Sequence, residues 1–298
     1  MRKIAGVVGV LLVALGSVLA VLSSKGSPAA SAAGPPTSAA KPVTTTKTYA
    51  MKVAGMTRSW EVISSTALSA KAPVIVMLSG LGATVSSEVS RDQLTPYASA
   101  AKAELVYPVA YEKSWNAIGC CSFAGKAKIN DLAFIKALVA KIDPGHKRPV
   151  YVIGFSNGAR LAYRIACTDP YLFDAYAMVK GGPLPRCVVS KPVKIEQLAS
   201  TDDLEVPYSK PDKDGGLSAL AIVAELRKAD KCPTKASTVT HTGNLTLSTW
   251  TTCTTGKRVG FAVWSAGKHA FPRPPVANPG AAPVIWAFFT NTKPAPLP

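Results

Sequence analysis

Tyr151-Val-Ile-Gly154-Phe155-Ser156-Asn157-Gly158-Ala159 decides how this chain is read. Pro149 to Ile153 is an apolar run of strand length, and Gly158 to Ala166 reads as a helix. Between them, G-x-S-x-G lets the backbone make a sharp strand-to-helix turn. Such a turn holds Ser156 in a strained conformation, with its Oγ exposed at the carboxyl edge of a sheet and a helix N-terminus behind it. That is the setting of an activated nucleophile. The plainer alternative is a tight turn without chemistry. A bare G-x-S-x-G is common by chance, so the strand–turn–helix context is what favours the nucleophile.

Outward from the elbow, strand and helix patterns alternate. A hairpin is expected near Thr48 to Val53 and Arg58 to Ile63, turning at Gly55, followed by the apolar strand Pro73 to Leu78. A helical stretch around Leu94 to Lys102 precedes a strand at Leu105 to Val109. Leu132, Ile135, Leu138, Val139 and Ile142 recur at three- and four-residue spacing and mark a helix over Ile129 to Ile142. Beyond the elbow, Ala175 to Val179, Val193 to Leu198 and Val259 to Trp264 read as strands, and Leu217 to Ala229 and Pro283 to Phe289 as helices. Strands separated by helices need crossover connections. The pattern therefore predicts an α/β fold with a mostly parallel central sheet, helices on both faces, and a single domain over residues 49–298.

This topology also says where partners for Ser156 should lie, because ligands of open α/β sheets gather at the carboxyl ends of the strands. His269 follows the strand ending at Trp264 and is the expected base. His146 precedes the elbow strand and falls at the opposite edge, and His241 sits in a Thr/Ser-rich hairpin. The loop after Leu198 offers Asp202, Asp203 and Glu205 as the acid that would orient the imidazole, with Asp203 preferred. Backbone N–H groups of Asn157 and of Leu81, in Ser79-Gly80-Leu81-Gly82, are the expected oxyanion donors.

The N-terminus addresses the compartment. Arg2 and Lys3 precede the uncharged run Ile4 to Leu22, and Ala30-Ser31-Ala32 has the spacing of a signal-peptidase site. Residues 1–33 read as a signal peptide, 34–48 as a flexible Pro/Thr/Ala-rich linker, and the product as secreted. An uncleaved anchor is the alternative, since the apolar run is about long enough to span a bilayer, and membrane attachment is expected only in that case. Six cysteines in an exported chain suggest disulfides. Spacing favours Cys232–Cys253 and leaves the pairing of Cys120, Cys121, Cys167 and Cys187 open. No C-x-x-C spacing occurs and only three His are present, so no metal site is expected.

The net charge is +17, and removing the leader with Arg2, Lys3 and Lys25 still leaves +14. Export and scattered Lys and Arg argue against a nucleic-acid partner. An anionic cell-wall polymer is a candidate partner, and a solvated basic surface is the plainer reading.

These residues together resemble the secreted α/β-hydrolase esterases grouped with polyhydroxybutyrate depolymerases, which include feruloyl and acetylxylan esterases of the first carbohydrate-esterase family. The resemblance covers nearly all of Thr57 to Phe289. It is carried by Thr57-Arg58-Ser59, by Ser114-Trp-Asn-Ala-Ile-Gly-Cys-Cys121 with Asp131-Leu-Ala-Phe134, by Gly154-Phe-Ser-Asn-Gly-Ala159, by Val206-Pro-Tyr208, and by Gly267-Lys-His269 before Pro272. It implies the α/β-hydrolase fold, Asp203 as the acid, carboxylic-ester hydrolysis through Ser156, Asp203 and His269, an ester substrate, and no cofactor. Trp115 and Asn116 are the candidate substrate contacts, with a packed structural loop as the alternative. Three positions depart from the family pattern: Ser79-Gly80 and Ala199-Ser200 each stand where the family has His-Gly, and Lys268 and Phe271 flank His269 where it has Gly and Trp. A rival from another class is a non-catalytic basic protein that binds wall polymer or polysaccharide on a hydrolase scaffold. Salt-sensitive retention without esterase activity would mark it.

Overall fold

The described residues fold around one ten-stranded sheet. The computed structural model describes residues 42–118, 123–184, 187–213 and 215–298, all within the unit Lys41–Pro298. The expected leader and most of the expected linker lie outside the described residues, as do Cys120 and Cys121.

The hairpin of β1 (Thr44–Val53) and β2 (Met56–Ser65) comes first, then β3 (Val74–Leu78). Two short helices, α1 (Val85–Asp92) and α2 (Thr95–Ser99), lead to β4 (Glu104–Pro108). After α3 (Phe123–Lys126) and α4 (Asp131–Ile142), β5 (Val150–Phe155) runs through the elbow into α5 (Asn157–Thr168). There follow β6 (Ala175–Val179), β7 (Ile195–Ser200), α6 (Ala219–Ala229), β8 (Thr238–Thr242), β9 (Leu245–Trp250), β10 (Val259–Trp264) and α7 (Ala281–Thr290). The spatial order is β1-β2-β4-β3-β5-β6-β7-β10-β9-β8. The six strands from β4 to β10 in that order pair in parallel, and antiparallel hairpins close both ends.

Alternation within the central strands divides the core between two faces. Val74, Val76 and Leu78 pack with Phe134, Leu138, Leu161 and Ile222 from α4, α5 and α6. Ile75 and Met77 point the other way, against Tyr97 of α2 and Ile285 and Phe288 of α7. Strands buried on both sides are therefore continuously apolar, as the sequence suggested.

Two differences from the sequence reading have local causes. The first strand starts at Thr44, inside the stretch expected to be linker, because Thr44 to Thr48 pair with Ser65 to Glu61 of β2. The helix α1 was not expected. Its sequence is mainly polar, and it is set by the N-cap Thr84, whose Oγ1 accepts from Ser87 N while Ser87 Oγ accepts from Thr84 N.

Disulfides join Cys167 to Cys187 and Cys232 to Cys253. Closing loops of about 20 residues contributes on the order of 3 kcal/mol each in the chain-entropy account. No helix among the described residues is long and apolar enough to cross a membrane.

Candidate active site

Ser156 stands between β5 and α5 with φ 51° and ψ −114°, a strained conformation for a residue with a side chain. Contacts on all sides impose it. Ser156 N donates to Val179 O (2.9 Å), and Arg160 N donates to Ser156 O (3.1 Å). A Cβ on Gly154 would lie 2.6 Å from Ala159 Cα, and one on Gly158 only 2.1 Å from Leu78 O. The two glycines of the motif thus let α5 approach its own strand and the end of β3.

The three residues expected to act together meet at the carboxyl edge. His269 Nε2 lies 2.8 Å from Ser156 Oγ, and His269 Nδ1 lies 3.0 and 3.1 Å from the two Asp203 oxygens. Asp203 is buried and also accepts from Glu205 N (2.9 Å) and Val206 N (3.0 Å) through Oδ1. His269 remains partly accessible, stacked on Phe155 with ring centroids 5.7 Å apart. Asp202 does a different job from its neighbour: it accepts from Gly267 N (3.2 Å) and Lys268 N (2.8 Å), in the loop that carries His269. Glu205 points outward and pairs with Lys213 (2.8 Å). His241 is exposed on β8 beside Thr246, and His146 pairs with Asp174 (3.0 Å) just before β5.

The segment Ser79–Gly82 leaves β3 beside the elbow. Trp115 Nε1 donates to Ser79 O (3.0 Å), Gly80 N donates to Glu88 Oε2 (3.2 Å), and Gly82 N donates to Lys113 O (2.8 Å). The N–H groups of Leu81 and Asn157 make no hydrogen bond among the described residues. Free donors at these two positions are what an oxyanion site requires. Beside them, Leu81, Gly82, Ser87, Arg91 and Arg273 line a depression of about 630 Å³.

Trp115 and Asn116 are tied into the fold by their own hydrogen bonds. Trp115 is fully buried, and its backbone exchanges hydrogen bonds with the Asn157 side chain (2.7 and 3.2 Å). Asn116 N donates to Asp131 Oδ2 (2.7 Å), its Nδ2 to Ile129 O (2.8 Å), and its carbonyl accepts from Arg164 Nη1 (2.7 Å). Asp131 in turn pairs with Arg58 at 2.8 Å, tying this loop to β2. These polar groups of Trp115 and Asn116 are thus engaged within the described residues.

Sequence reasoning passed over Glu88 and Lys180, both buried beside the site. Burial raises the Glu88 carboxyl, opposed mainly by Arg91 and Gly80. Lys180 Nζ donates to Gly267 O (3.1 Å) and to Lys268 O. A charged residue directly after the apolar run Ala175–Val179 was the available signal for Lys180.

No protein-family model matches the chain. A stretch of 146 residues is 31% identical to the protein named "Putative esterase NocK" from Nocardia uniformis subsp. tsuyamanensis. The match covers 46% of this chain and 42% of that protein, so it spans less than half of the relative's length. Among solved structures, a thermostable esterase superposes with TM-score 0.51 at 15% identity, covering 82% of this chain and 60% of the other. The protein named "Putative Dienelactone Hydrolase" from Klebsiella pneumoniae subsp. pneumoniae MGH 78578 gives 0.53 at 14%, covering 83% and 99%. Acetyl xylan esterase from Aspergillus awamori gives 0.50 at 12%, covering 73% and 90%. At these identities the likeness speaks for architecture. With the parallel sheet, the flanking helices and the serine elbow after β5, it shows that this chain has the α/β-hydrolase fold.

Proposed function

We propose that the protein is an exported serine esterase that cleaves carboxylic esters through Ser156, His269 and Asp203. The observation that carries this reading is the continuous hydrogen-bond relay from Ser156 Oγ through His269 to the buried Asp203 carboxylate. The esterase likeness of the partial relative supports the same reaction class.

In the proposed cycle Ser156 Oγ attacks the ester carbonyl as its proton passes to His269 Nε2. Asp203 keeps the proton on Nδ1 and stabilises the imidazolium. Negative charge on the carbonyl oxygen is met by Leu81 N–H and Asn157 N–H, donors fixed before the charge develops and worth roughly 3–4 kcal/mol each in other hydrolases. The imidazolium protonates the departing alcohol. Water, deprotonated by the same imidazole, then clears the acyl-enzyme. The proton taken from that water returns from His269 Nε2 to Ser156 Oγ as the carboxylic acid leaves, which restores the starting state.

The resemblance to polyhydroxybutyrate depolymerases and to feruloyl and acetylxylan esterases suggests acetyl, feruloyl or hydroxyalkanoate esters as substrates. Ser156→Ala should lower p-nitrophenyl acetate or butyrate hydrolysis by about 10⁴-fold or more while leaving the fold intact. Equal hydrolysis with and without the hydroxyl would refute the mechanism. A panel of esters varying acyl length and aromatic acids would define the preferred class.

A further inference from the structure

Lys180 is the first residue after β6. It has φ 48° and donates its own N–H to Leu198 O (2.9 Å). Its side chain is almost wholly buried, and the ammonium ends beneath the loop that carries His269. There Nζ bonds the carbonyls of Gly267 and Lys268, while Asp202 bonds the N–H groups of those same two residues. One peptide segment is thus held by a cation on its carbonyls and a carboxylate on its amides. The segment needs holding, because Gly267 has φ 133° and Lys268, a residue with a side chain, has φ 43°. His269 follows immediately.

We propose that Lys180 is a positioning residue whose ammonium, acting through the Gly267 and Lys268 carbonyls, holds the His269 loop in register with Ser156. The proposal rests on the reading of Ser156, His269 and Asp203 as the reacting set. The charged side chains that act on the Lys180 ammonium are Asp203 and Asp202, both from the loop after β7, while the loop after β10 meets it through backbone carbonyls. Burial pushes the ammonium down to about 8, opposed by Asp203 and Asp202. A neutral amine at this point keeps two donors. It loses the charge assistance that roughly doubles a hydrogen bond's strength, and it withdraws the cation from between two carboxylates. Catalysis therefore depends on the protonated state, and kcat steps down as pH rises through about 8.

The test is the pH dependence of kcat and KM for a p-nitrophenyl ester with wild type, Lys180→Met and Lys180→Arg. Lys180→Met removes charge and donors at similar volume. Its kcat should fall about tenfold or more with KM within about threefold, because a small displacement of a reacting group penalises the transition state more than binding. The step near pH 8 should vanish. Lys180→Arg keeps a cation, so it should restore part of kcat, also without the step. A Lys180→Met enzyme with wild-type kcat, or one that keeps the step, overturns the proposal. If that variant fails to fold by circular dichroism, a wild-type profile lacking the step, or a Lys180→Arg profile retaining it, overturns it equally. An inactive wild type defeats the esterase reading and this inference together. An active, Ser156-dependent wild type with no response to Lys180 defeats this inference alone.

Discussion

At the residue scale, the elbow shows how much of a motif is steric rather than chemical. Gly158 is required because a side chain there would collide with a backbone oxygen at the end of β3, which cannot swing aside as a flexible side chain could. Gly158→Ala should therefore either displace α5 or pull β3 and β5 apart. The expected loss is about 3 kcal/mol or more, at the upper end for overpacking, because the obstructing atom is main chain. Denaturant unfolding of wild type and variant measures it, and a loss under about 1 kcal/mol would mean that the helix start relaxes freely. The same scale separates two adjacent carboxylates that sequence leaves in competition. Asp203 accepts from the imidazole, whereas Asp202 is spent on two backbone amides. Topology narrowed the acid to one loop. The family resemblance favoured Asp203, and the direction in which each side chain leaves that loop gives the two carboxylates their different partners.

At the scale of elements, the site depends on three segments meeting: the end of β3, the loop bearing Trp115, and the start of α5. Trp115 links all three, through Nε1 to Ser79 O and through its backbone to the Asn157 side chain. Trp115→Phe would keep most of the buried ring and delete the donor to Ser79 O. An orphaned buried acceptor costs about 1–3 kcal/mol, so thermal stability should fall by that amount. With the Leu81 segment loosened, kcat should drop about tenfold and KM change less, since the oxyanion donors act mainly on the transition state. Unchanged kcat would show that Gly80 and Gly82 anchor the segment without it.

Elements announced by burial on both faces were legible in the chain: β3, β5, β6 and β10 fall where apolar runs predicted them, and β7 falls within two residues of its expected place although Glu196 and Gln197 interrupt its apolar residues. The Cys232–Cys253 bridge likewise fits the spacing that favoured it. The first turns of β1 were not legible, because Thr44-Thr-Thr-Lys-Thr48 on an exposed edge strand has the composition of a linker. Nor was α1, whose polar residues shield the buried Glu88 and Asp92. Trp115 left two readings open in the sequence, a ligand contact at the carboxyl edge or a packed structural loop, and its full burial agrees with the second. Lys180 was illegible for a related reason. One charged residue beyond a strand normally reaches solvent, and nothing local says that a loop some 87 residues later will cover it.

At the scale of the whole molecule, the surplus of positive charge coexists with carboxyl groups sealed inside. Burial raises Asp92 to about 8 despite hydrogen bonds from Leu94 N and Tyr107 OH, and raises Asp230 to about 7 despite one from Val193 N. Glu196 goes the same way, to about 8, against the pull of Arg258 and Lys194. Unfolded, these groups titrate near 4. Between about pH 4 and 8 the native state therefore binds more protons than the unfolded one, and stability must fall as pH rises through that window. Each group contributes at most about 1.4 kcal/mol per pH unit. Lys180 acts in the reverse sense above it: at about 8 when folded and near 10.4 when unfolded, it lets stability recover as pH rises further. Thermal unfolding from pH 5 to 10 should thus show a midpoint that declines to a minimum near pH 8. Asp92→Asn keeps the shape and the acceptor for Leu94 N, with Tyr107 OH turning to accept from the new amide, and it removes one titrating proton. It should flatten the decline without moving the midpoint much at pH 5. A wild-type midpoint that rises between pH 5 and 8, or an Asp92→Asn slope equal to wild type, would mean that this carboxyl is already ionised in the folded protein.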